Sequence, residues 1–207
     1  MNNSLEIEVA NLKQQVAQLK KQIEANHRDM VELKQRGDIQ DSLNEMLNIS
    51  LLPISLQEQL EKILLVVLEL QWLALEKKGC VFLTDETGRG LNMIAYHNLG
   101  DSLLSMCKHI KFGQCLCGIA AKEQKLTFRS CIDDDHSNRP EGMEPHGHYT
   151  VPMVSEGKTL GVLNLYVEHG HQQTRLEHDF LEATSKAMAS IVERKKNRRK
   201  VAQVIFF

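Results

Sequence analysis

Apolar residues repeat every seven positions over residues 5–33. One series is mostly leucine, and the other, four residues later, is mostly β-branched. The two series are Leu5, Leu12, Leu19, Asn26 and Leu33, and Val9, Val16, Ile23 and Met30. β-Branched residues at heptad position a with leucine at position d favour two parallel helices. The pattern therefore predicts a parallel coiled-coil homodimer, and the alternative is a single solvated helix packed on the rest of the chain.

The charges beside this seam agree with a parallel dimer. In that arrangement, position g of one helix faces position e of the next heptad of its partner. Glu8 then faces Lys13, and Asp29 faces Lys34. Asn26 interrupts the apolar seam at a cost in stability, and a polar residue of this kind helps to fix the register.

The periodicity changes after Arg36-Gly37-Asp38, where we expect glycine to end the helix. Further on, Ser55-Leu-Gln-Glu58 and Thr174-Arg-Leu-Glu177 are capping boxes that mark helix starts. Helices are predicted at residues 39–49, 55–75, 101–107, 118–125 and 174–200, strands at residues 79–84, 91–97, 126–129, 149–155 and 159–167, and a polar loop at residues 132–148. This order predicts an α/β (α+β) domain in which helices flank an antiparallel sheet.

Composition narrows the setting in which the chain works. A net charge of −2 over 207 residues gives no field that would attract nucleic acid or an anionic membrane. The sequence has neither a secretory signal pattern nor an apolar run of membrane-spanning length. Five cysteines are an odd number, and in a reducing compartment they serve as thiols or metal ligands rather than disulfides. We therefore expect a cytoplasmic protein.

The organisation that we expect has three parts. Residues 1–36 form the coiled-coil helix, residues 37–193 form the globular domain, and residues 194–207 form a basic helix end with an apolar tail. The basic run at residues 194–200 contains no aromatic residues and lies at a helix C-terminus, where cations complement the helix dipole. We therefore expect a solvated helix end there rather than a nucleic-acid site, and the apolar tail at residues 201–207 suggests a linker to an output domain.

Four segments resemble the GAF domains of bacterial signalling proteins. They are Ser55-Leu-Gln-Glu-Gln-Leu60, Gly79-Cys-Val-Phe-Leu83, Phe112-Gly-Gln-Cys-Leu-Cys-Gly-Ile-Ala-Ala121 and Thr150-Val-Pro-Met-Val-Ser-Glu-Gly-Lys-Thr-Leu-Gly-Val-Leu-Asn-Leu165. The resemblance covers residues 55–191 and implies a GAF-like antiparallel sheet with a ligand pocket between the sheet and its loop-side cover. It also implies a sensory module rather than an enzyme. A long C-terminal signalling helix would lead to an output domain in the same chain, such as a histidine kinase or a diguanylate cyclase.

More specifically, the sequence resembles a bacterial subset of GAF domains with two extra motifs. These are Cys115-Leu-Cys117-Gly118 and His146-Gly-His148-Tyr149. In extended backbone, residues two apart point to the same side, so each motif directs a pair of ligand side chains together. Thiolates and imidazoles suit zinc, and they also accept iron.

We therefore expect a metal site formed by Cys115, Cys117, His146 and His148. Zinc is the first choice for the ion, and iron or an iron-containing cofactor is the second. Further candidates as ligands or supporting groups are Cys131, His136 and His171. The remaining cysteines, Cys80 and Cys107, are expected to be small buried side chains without a special role, and His97, His109 and His178 to be solvated.

Three alternatives remain open. A thiol redox sensor would use Cys115, Cys117 and Cys131, with Cys131 as the disulfide partner because neighbouring Cys115 and Cys117 would close a strained ring. A second alternative is an enzyme similar to GAF-fold free methionine-(R)-sulfoxide reductases. Those enzymes have a cysteine directly before a glycine in this region, and Cys117 matches that cysteine. This sequence has Pro145-His-Gly-His148 where those enzymes carry the attacking cysteine. The third is a cyclic-nucleotide pocket with contacts from residues 133–135 and 139, although aspartates repel phosphate.

Overall fold

The computed structural model describes residues 2–140 and 142–205, with side chains for residues 7–140 and 142–198. The helices are α1 (Asn2–Leu51), α2 (Leu56–Leu68), α3 (Asp101–Met106), α4 (Cys115–Glu123) and α5 (Arg175–Ile205). The strands are β1 (Leu75–Thr84), β2 (Gly90–His97), β3 (His109–Lys111), β4 (Thr127–Arg129), β5 (His146–Ser155) and β6 (Lys158–Glu168). The chain divides into two compact units, one ending at Asp41 and the other beginning at Ser42.

The N-terminal helix is continuous where the sequence predicted a break. α1 runs through Gly37 without interruption, so the separate helix predicted at residues 39–49 is wrong. A glycine inside a helix costs only about 1 kcal/mol relative to alanine, and good helix formers surround this one. An i,i+4 ion pair of 2.6 Å between Arg36 and Glu32 supports the turn before it.

The seam positions of α1 carry exposed apolar side chains. In the unit that ends at Asp41, the described a and d positions with large apolar side chains are exposed; these are Val9, Leu12, Val16, Leu19, Ile23, Met30 and Leu33. Leu5 and the tail at residues 201–207 lie outside the residues with described side chains. Within the described part of the chain, no helix is both long enough and apolar enough to cross a lipid bilayer.

The second helix begins where its capping box predicted. The hydroxyl of Ser55 accepts a hydrogen bond from the amide of Glu58, and the carboxylate of Glu58 accepts one from the amide of Ser55. The helix ends at Leu68 instead of near residue 75. A 3₁₀ turn at Gln71–Leu73 follows it, and β1 begins at Leu75. Apolar periodicity does not distinguish this turn from a further helical turn, because Leu73 is fully buried.

The sheet confirms the predicted fold class. It has six strands in the order β3-β2-β1-β6-β5-β4, with antiparallel pairing between all neighbours. The short edge strand β3 was not predicted. One face of the sheet packs against α4 through a cluster that includes Cys80, Phe82, Cys117, Val162 and Tyr166. α2 and α5 pack against β1 and β5.

The last helix also begins at its predicted capping box, and it is tied to the end of α1. The hydroxyl of Thr174 accepts from the amide of Glu177, and the carboxylate of Glu177 accepts from the amide of Thr174. Further along α5, Arg194 donates to the carbonyl of Ser50 at 2.6 Å, and Lys195 donates to the carbonyl of Ile54 at 2.7 Å. The expectation that these two basic residues are only solvated is therefore wrong.

Candidate metal centre

The His-Gly-His motif lies in a strand instead of the predicted loop. β5 begins at His146, three residues before its predicted start, so His146 and His148 point to the same face of the sheet. Gly147 between them points to the other face. A β-carbon at Gly147 would collide with the backbone carbonyl of Arg129 and would lie 2.8 Å from a methyl group of Val167. Only glycine therefore allows β4 and β5 to approach closely beside the two histidines.

A third histidine reaches the same place from the loop between β4 and β5. His136 lies in that loop and is 4% exposed. The loop is tied to β4, because Arg129 forms hydrogen-bonded ion pairs with Asp133 at 2.6 Å and with Asp135 at 2.9 Å. The backbone amide of His136 donates to the carbonyl of Asp133 at 3.1 Å. The acidic residues therefore hold the loop segment that carries His136.

Three imidazoles meet in this region. One ring nitrogen from each of His136, His146 and His148 lies within 4.8 Å of the others, and all three residues are buried. The rings of His136 and His148 are stacked, with centroids 4.9 Å apart. Zinc–nitrogen bonds of about 2.0–2.1 Å place tetrahedral ligands about 3.3 Å apart, so small side-chain rotations would bring the three nitrogens onto one ion.

In the part of the chain that the structure describes, each of the three rings has one buried nitrogen without a hydrogen-bond partner. Nδ1 of His146 lies 2.6 Å from the carbonyl of Glu144, and Nδ1 of His148 lies 3.1 Å from the amide oxygen of Asn164. Both partners are acceptors, so each Nδ1 carries the proton and each Nε2 presents a lone pair. Among the described residues, Nδ1 of His136, Nε2 of His146 and Nε2 of His148 are buried without a hydrogen-bond partner.

The electrostatics of the site favour neutral imidazoles. Burial lowers the pKa of His148 well below its usual value, and the neighbouring His136 and His146 lower it further. Burial is also the main cause of the lowered pKa values of His136 and His146. Three neutral imidazoles with unpartnered nitrogens are the form in which histidine binds a metal ion.

A small internal cavity adjoins the histidines. His136 and His148 contribute to its wall, together with the apolar side chains of Phe82, Met93 and Leu116. The cavity has a volume of about 20 Å³, and a site needs about 10–15 Å³ to hold one water molecule. The space therefore suits an ion or one very small molecule, and it is too small for a nucleotide.

Four cysteines line this same cavity, two of which were expected to have no special role. They are Cys80, Cys107, Cys115 and Cys117. Burial raises the pKa of Cys117 well above its usual value, and neighbouring thiols raise it further. The pKa values of Cys80 and Cys107 are also raised, mainly by burial. These three thiols therefore stay protonated at neutral pH unless an ion displaces the proton.

The Cys-Leu-Cys motif does not lie in the extended backbone that we expected. Cys115 is the first residue of α4. Its φ of 53° lies in the left-handed backbone region that residues other than glycine rarely adopt. The preceding loop is tight, because the amide of Gly113 donates to the carbonyl of Gly118 at 2.7 Å. Both cysteines nevertheless line the cavity, so the motif delivers two thiols by a helix start instead of a strand.

Two buried asparagines support the site and were not identified from the sequence. Asn164 lies on β6 and reaches both His148 and, at 3.9 Å, the sulfur of Cys80. Asn138 donates to the sulfur of Cys107 at 3.4 Å. Asparagine is common in polar loops and strands, so its type alone gave no signal; the pairing of Cys80 with Asn164 across β1 and β6 emerges only from the fold.

Two other candidates lie elsewhere. Cys131 is half-buried in the loop after β4 and is not among the described residues that line the cavity. His171 contacts Glu177 at 3.1 Å and packs near the ring of Phe128. In the part of the chain with described side chains, the only group of three or more potential ligand atoms within 4.8 Å of one another is the three-histidine group, and Cys115 and Cys117 are not part of it.

Comparison with known proteins agrees with this fold. Residues 54–193 match the GAF domain family, and the chain belongs to that family. A comparison with curated proteins gives no significant match.

Solved structures show the same fold at low identity. The GAF domain of a phosphoenolpyruvate-protein phosphotransferase from Coxiella burnetii is 18% identical with a TM-score of 0.68, covering 79% of this chain and 97% of that one. The free methionine-R-sulfoxide reductase of Neisseria meningitidis, solved with its substrate, is 18% identical with a TM-score of 0.64, covering 77% and 91%. The A. aeolicus nlh2 GAF domain in an inactive state is 16% identical with a TM-score of 0.62, covering 78% and 99%.

Proposed function

We propose that this chain is the sensory GAF module of a cytoplasmic bacterial signalling protein and that it binds one transition-metal ion through His136, His146 and His148. The observation that carries the proposal is the set of three buried ring nitrogens without hydrogen-bond partners. A buried polar atom without a partner is costly, and an ion would satisfy all three at once. Three imidazoles favour zinc first and iron second.

The cavity wall provides candidates for a further ligand. Cys115 and Cys117 line the same cavity as His136 and His148, so our expectation that they supply thiolates remains a proposal. A bound ion would deprotonate a thiol that burial otherwise keeps neutral. His146 also lines a surface cleft, together with Glu76 and Glu144. This cleft offers a cation a path to the three histidines.

The proposed signal passes through paired helices. Two chains would associate in parallel through the apolar seam of residues 5–33, with Glu8 facing Lys13 and Asp29 facing Lys34 of the partner chain. Binding or loss of the ion would reorder the β4–β5 loop, which carries His136, and the change would reach α5 through the sheet. An effect on signalling requires that the ion bind the two states differently, and a histidine kinase or diguanylate cyclase in the same chain is the proposed output.

The alternatives have less support. A reductase of this kind needs an attacking thiolate, and this chain has Pro145-His-Gly-His148 in place of the attacking cysteine. The matching Cys117 cannot easily replace it, because it is 5% exposed and its pKa is raised. A redox sensor that pairs Cys131 with Cys115 or Cys117 would have to bring Cys131 to a cavity that it does not line. For a cyclic nucleotide, the cavity is too small, and the expected contacts Asp133 and Asp135 are engaged with Arg129.

Elemental analysis of the untagged protein tests the proposal. Protein purified without added metal should contain about one zinc or iron per chain, or should take up one equivalent of zinc when titrated with it. His148→Ala should lose the ion, whereas the control His109→Ala, which removes an exposed histidine outside the site, should retain it. Wild-type protein that contains no metal and binds none on titration would overturn the metal site.

A further inference from the structure

The last turns of α1 present two opposite faces to different surroundings. Ser42, Met46 and Ile49 are buried in the unit that begins at Ser42, with Met46 and Ile49 at 1% and 3% exposure. On the other side of the same turns, Leu47 and Leu51 are 59% and 70% exposed. Two exposed leucines on successive turns of one helix face leave that face without an apolar partner.

These two leucines occupy the seam positions of the N-terminal heptad. Because α1 is continuous through Gly37, the heptad count that places Leu12 at d and Val9 at a continues without a break. The same count places Leu47 at d and Leu51 at a. The buried residues Met46 and Ile49 fall at c and f, opposite the seam.

We infer that a second, parallel copy of this chain covers this face, so that the dimer interface extends along α1 past Gly37 to Leu51. The inference rests on the proposed coiled-coil dimer and extends its interface into the unit that begins at Ser42. The same helical turns would then contact the domain core on one side and the partner chain on the other.

Charge complementarity also continues past Gly37. In a parallel dimer, Arg36 at position g faces Asp41 at position e of the partner. This is a third pair of opposite charges with the same spacing as Glu8 with Lys13 and Asp29 with Lys34. Arg36 also pairs with Glu32 of its own chain, an exposed contact that a nearby partner carboxylate would share.

The middle of the extended seam differs from its two ends. Positions a and d there are occupied by Gly37, Gln40 and Asn44, none of which supplies an apolar side chain. This stretch buries little apolar surface between the two helices, so it is the part of the seam where they are held together least strongly and would shift most easily against each other. Such a shift would move Leu47 and Leu51 together with the buried turns behind them.

The end of α1 also forms hydrogen bonds with two other helices of the unit that begins at Ser42. The side-chain amide of Gln59 on α2 donates to the carbonyls of Ile49, Ser50 and Leu52, each at 3.1 Å. Arg194 on α5 donates to the carbonyl of Ser50. A displacement of the extended seam would therefore be transmitted to both α2 and α5.

Cysteine cross-linking in the full chain tests this inference. Leu51→Cys and Leu47→Cys report on the extension, Leu33→Cys reports on the proposed N-terminal seam, and Glu45→Cys is an exposed control at position b of the same turns. With diamide as a metal-free oxidant and wild-type protein treated in parallel, the seam variants should form dimers at least about tenfold faster than Glu45→Cys, because only a and d positions bring equivalent residues within disulfide reach.

The outcomes distinguish the extended interface from the N-terminal coiled coil on which it rests. Dimers with Leu33→Cys but only control rates with Leu47→Cys and Leu51→Cys would retain the coiled coil and overturn the extension. Fast cross-linking at Leu47 and Leu51 with only control rates at Leu33 would place a partner chain at the end of α1 but would overturn the N-terminal seam, and with it the continuous interface. Control rates at all three positions, or equally fast cross-linking of Glu45→Cys, would overturn both.

Discussion

The amide oxygen of Asn164 lies 3.1 Å from Nδ1 of His148, and this hydrogen bond fixes which nitrogen of the ring carries the proton. Nε2 is thereby left as an acceptor without a partner. Asn164 also directs its amide nitrogen towards the sulfur of Cys80. One buried side chain therefore orients a candidate metal ligand and contacts a thiol in the wall of the adjoining cavity.

Asn164→Leu removes this orienting bond while keeping a similar side-chain volume. Loss of a group that orients a metal-bound histidine typically weakens metal binding about 10–100-fold, and we expect that range for zinc, measured by competition with a chelating dye. Asn92→Leu is the matched control, because Asn92 holds the exposed His109 in the same way at 2.9 Å. Equal zinc affinity of Asn164→Leu and the wild type would show that Asn164 does not position a ligand.

Arg129→Gln should loosen the loop that carries His136. Arg129 is the common partner of Asp133 and Asp135, and without it we expect zinc affinity to fall about tenfold, within the range for supporting groups. The unfolding free energy should change by only about 1 kcal/mol, because the ion pairs are partly exposed. Zinc competition and urea unfolding measure the two effects.

The control for that change is Arg175→Gln. Arg175 forms an exposed ion pair with Asp179 at 3.5 Å on α5, and its loss should alter neither quantity. Unchanged zinc affinity in Arg129→Gln would mean that His136 does not depend on the loop contacts for its position.

Gly147→Ala should disturb the strand that carries two of the histidines. The added methyl group would collide with the backbone carbonyl of Arg129, which forces β4 and β5 apart. We expect a loss of about 1–3 kcal/mol in unfolding free energy, typical of overpacking, together with weaker zinc binding. Gly100→Ala, where nothing lies within 4 Å of the new atom, should leave zinc binding unchanged and should lower the unfolding free energy by no more than about 1 kcal/mol, because Gly100 is the N-cap of α3. A Gly147→Ala protein as stable as the wild type would contradict this packing argument.

Tyr149→Phe should lower stability without affecting metal binding. Its hydroxyl donates to the buried carboxylate of Glu177 at 3.0 Å, on the side of β5 opposite His148. Loss of a buried hydrogen bond to a charged group costs about 1.5–3 kcal/mol, so thermal or urea unfolding should show a decrease of that size with an unchanged zinc affinity. Tyr96→Phe, which alters an exposed tyrosine, should be neutral. A parallel loss of zinc binding in Tyr149→Phe would indicate that the two faces of the sheet are coupled.

Local signals in the sequence identified much of this fold. The capping boxes at Ser55 and Thr174 form as predicted because each is complete within four residues. The hairpin around Gly157 follows from two apolar runs that flank a glycine turn. By contrast, the sequence did not reveal that α1 continues through Gly37, because a single glycine costs less than the neighbouring turns contribute.

Patterns in the sequence predicted only part of the candidate site. The His146-Gly-His148 motif identified two of the three grouped histidines, since alternate residues of a strand share a face. His136 received less weight because a loop residue has no periodicity to show its direction; its position depends on Arg129 and the acidic residues of the loop. Cys80 and Cys107 lie far from the other thiols in the sequence, and only the packing of β1 and of the segment after α3 brings them to one cavity.

X-ray absorption at the metal edge tests the central proposal most directly. For the wild-type protein with one equivalent of zinc, we predict three nitrogen ligands at about 2.0–2.1 Å with the outer-shell scattering of imidazole rings, and a sulfur shell near 2.3 Å if a cysteine also binds. His136→Ala and His148→Ala should each lose imidazole scattering. A spectrum from bound zinc without imidazole scattering, or one unchanged by either substitution, would contradict the three-histidine site.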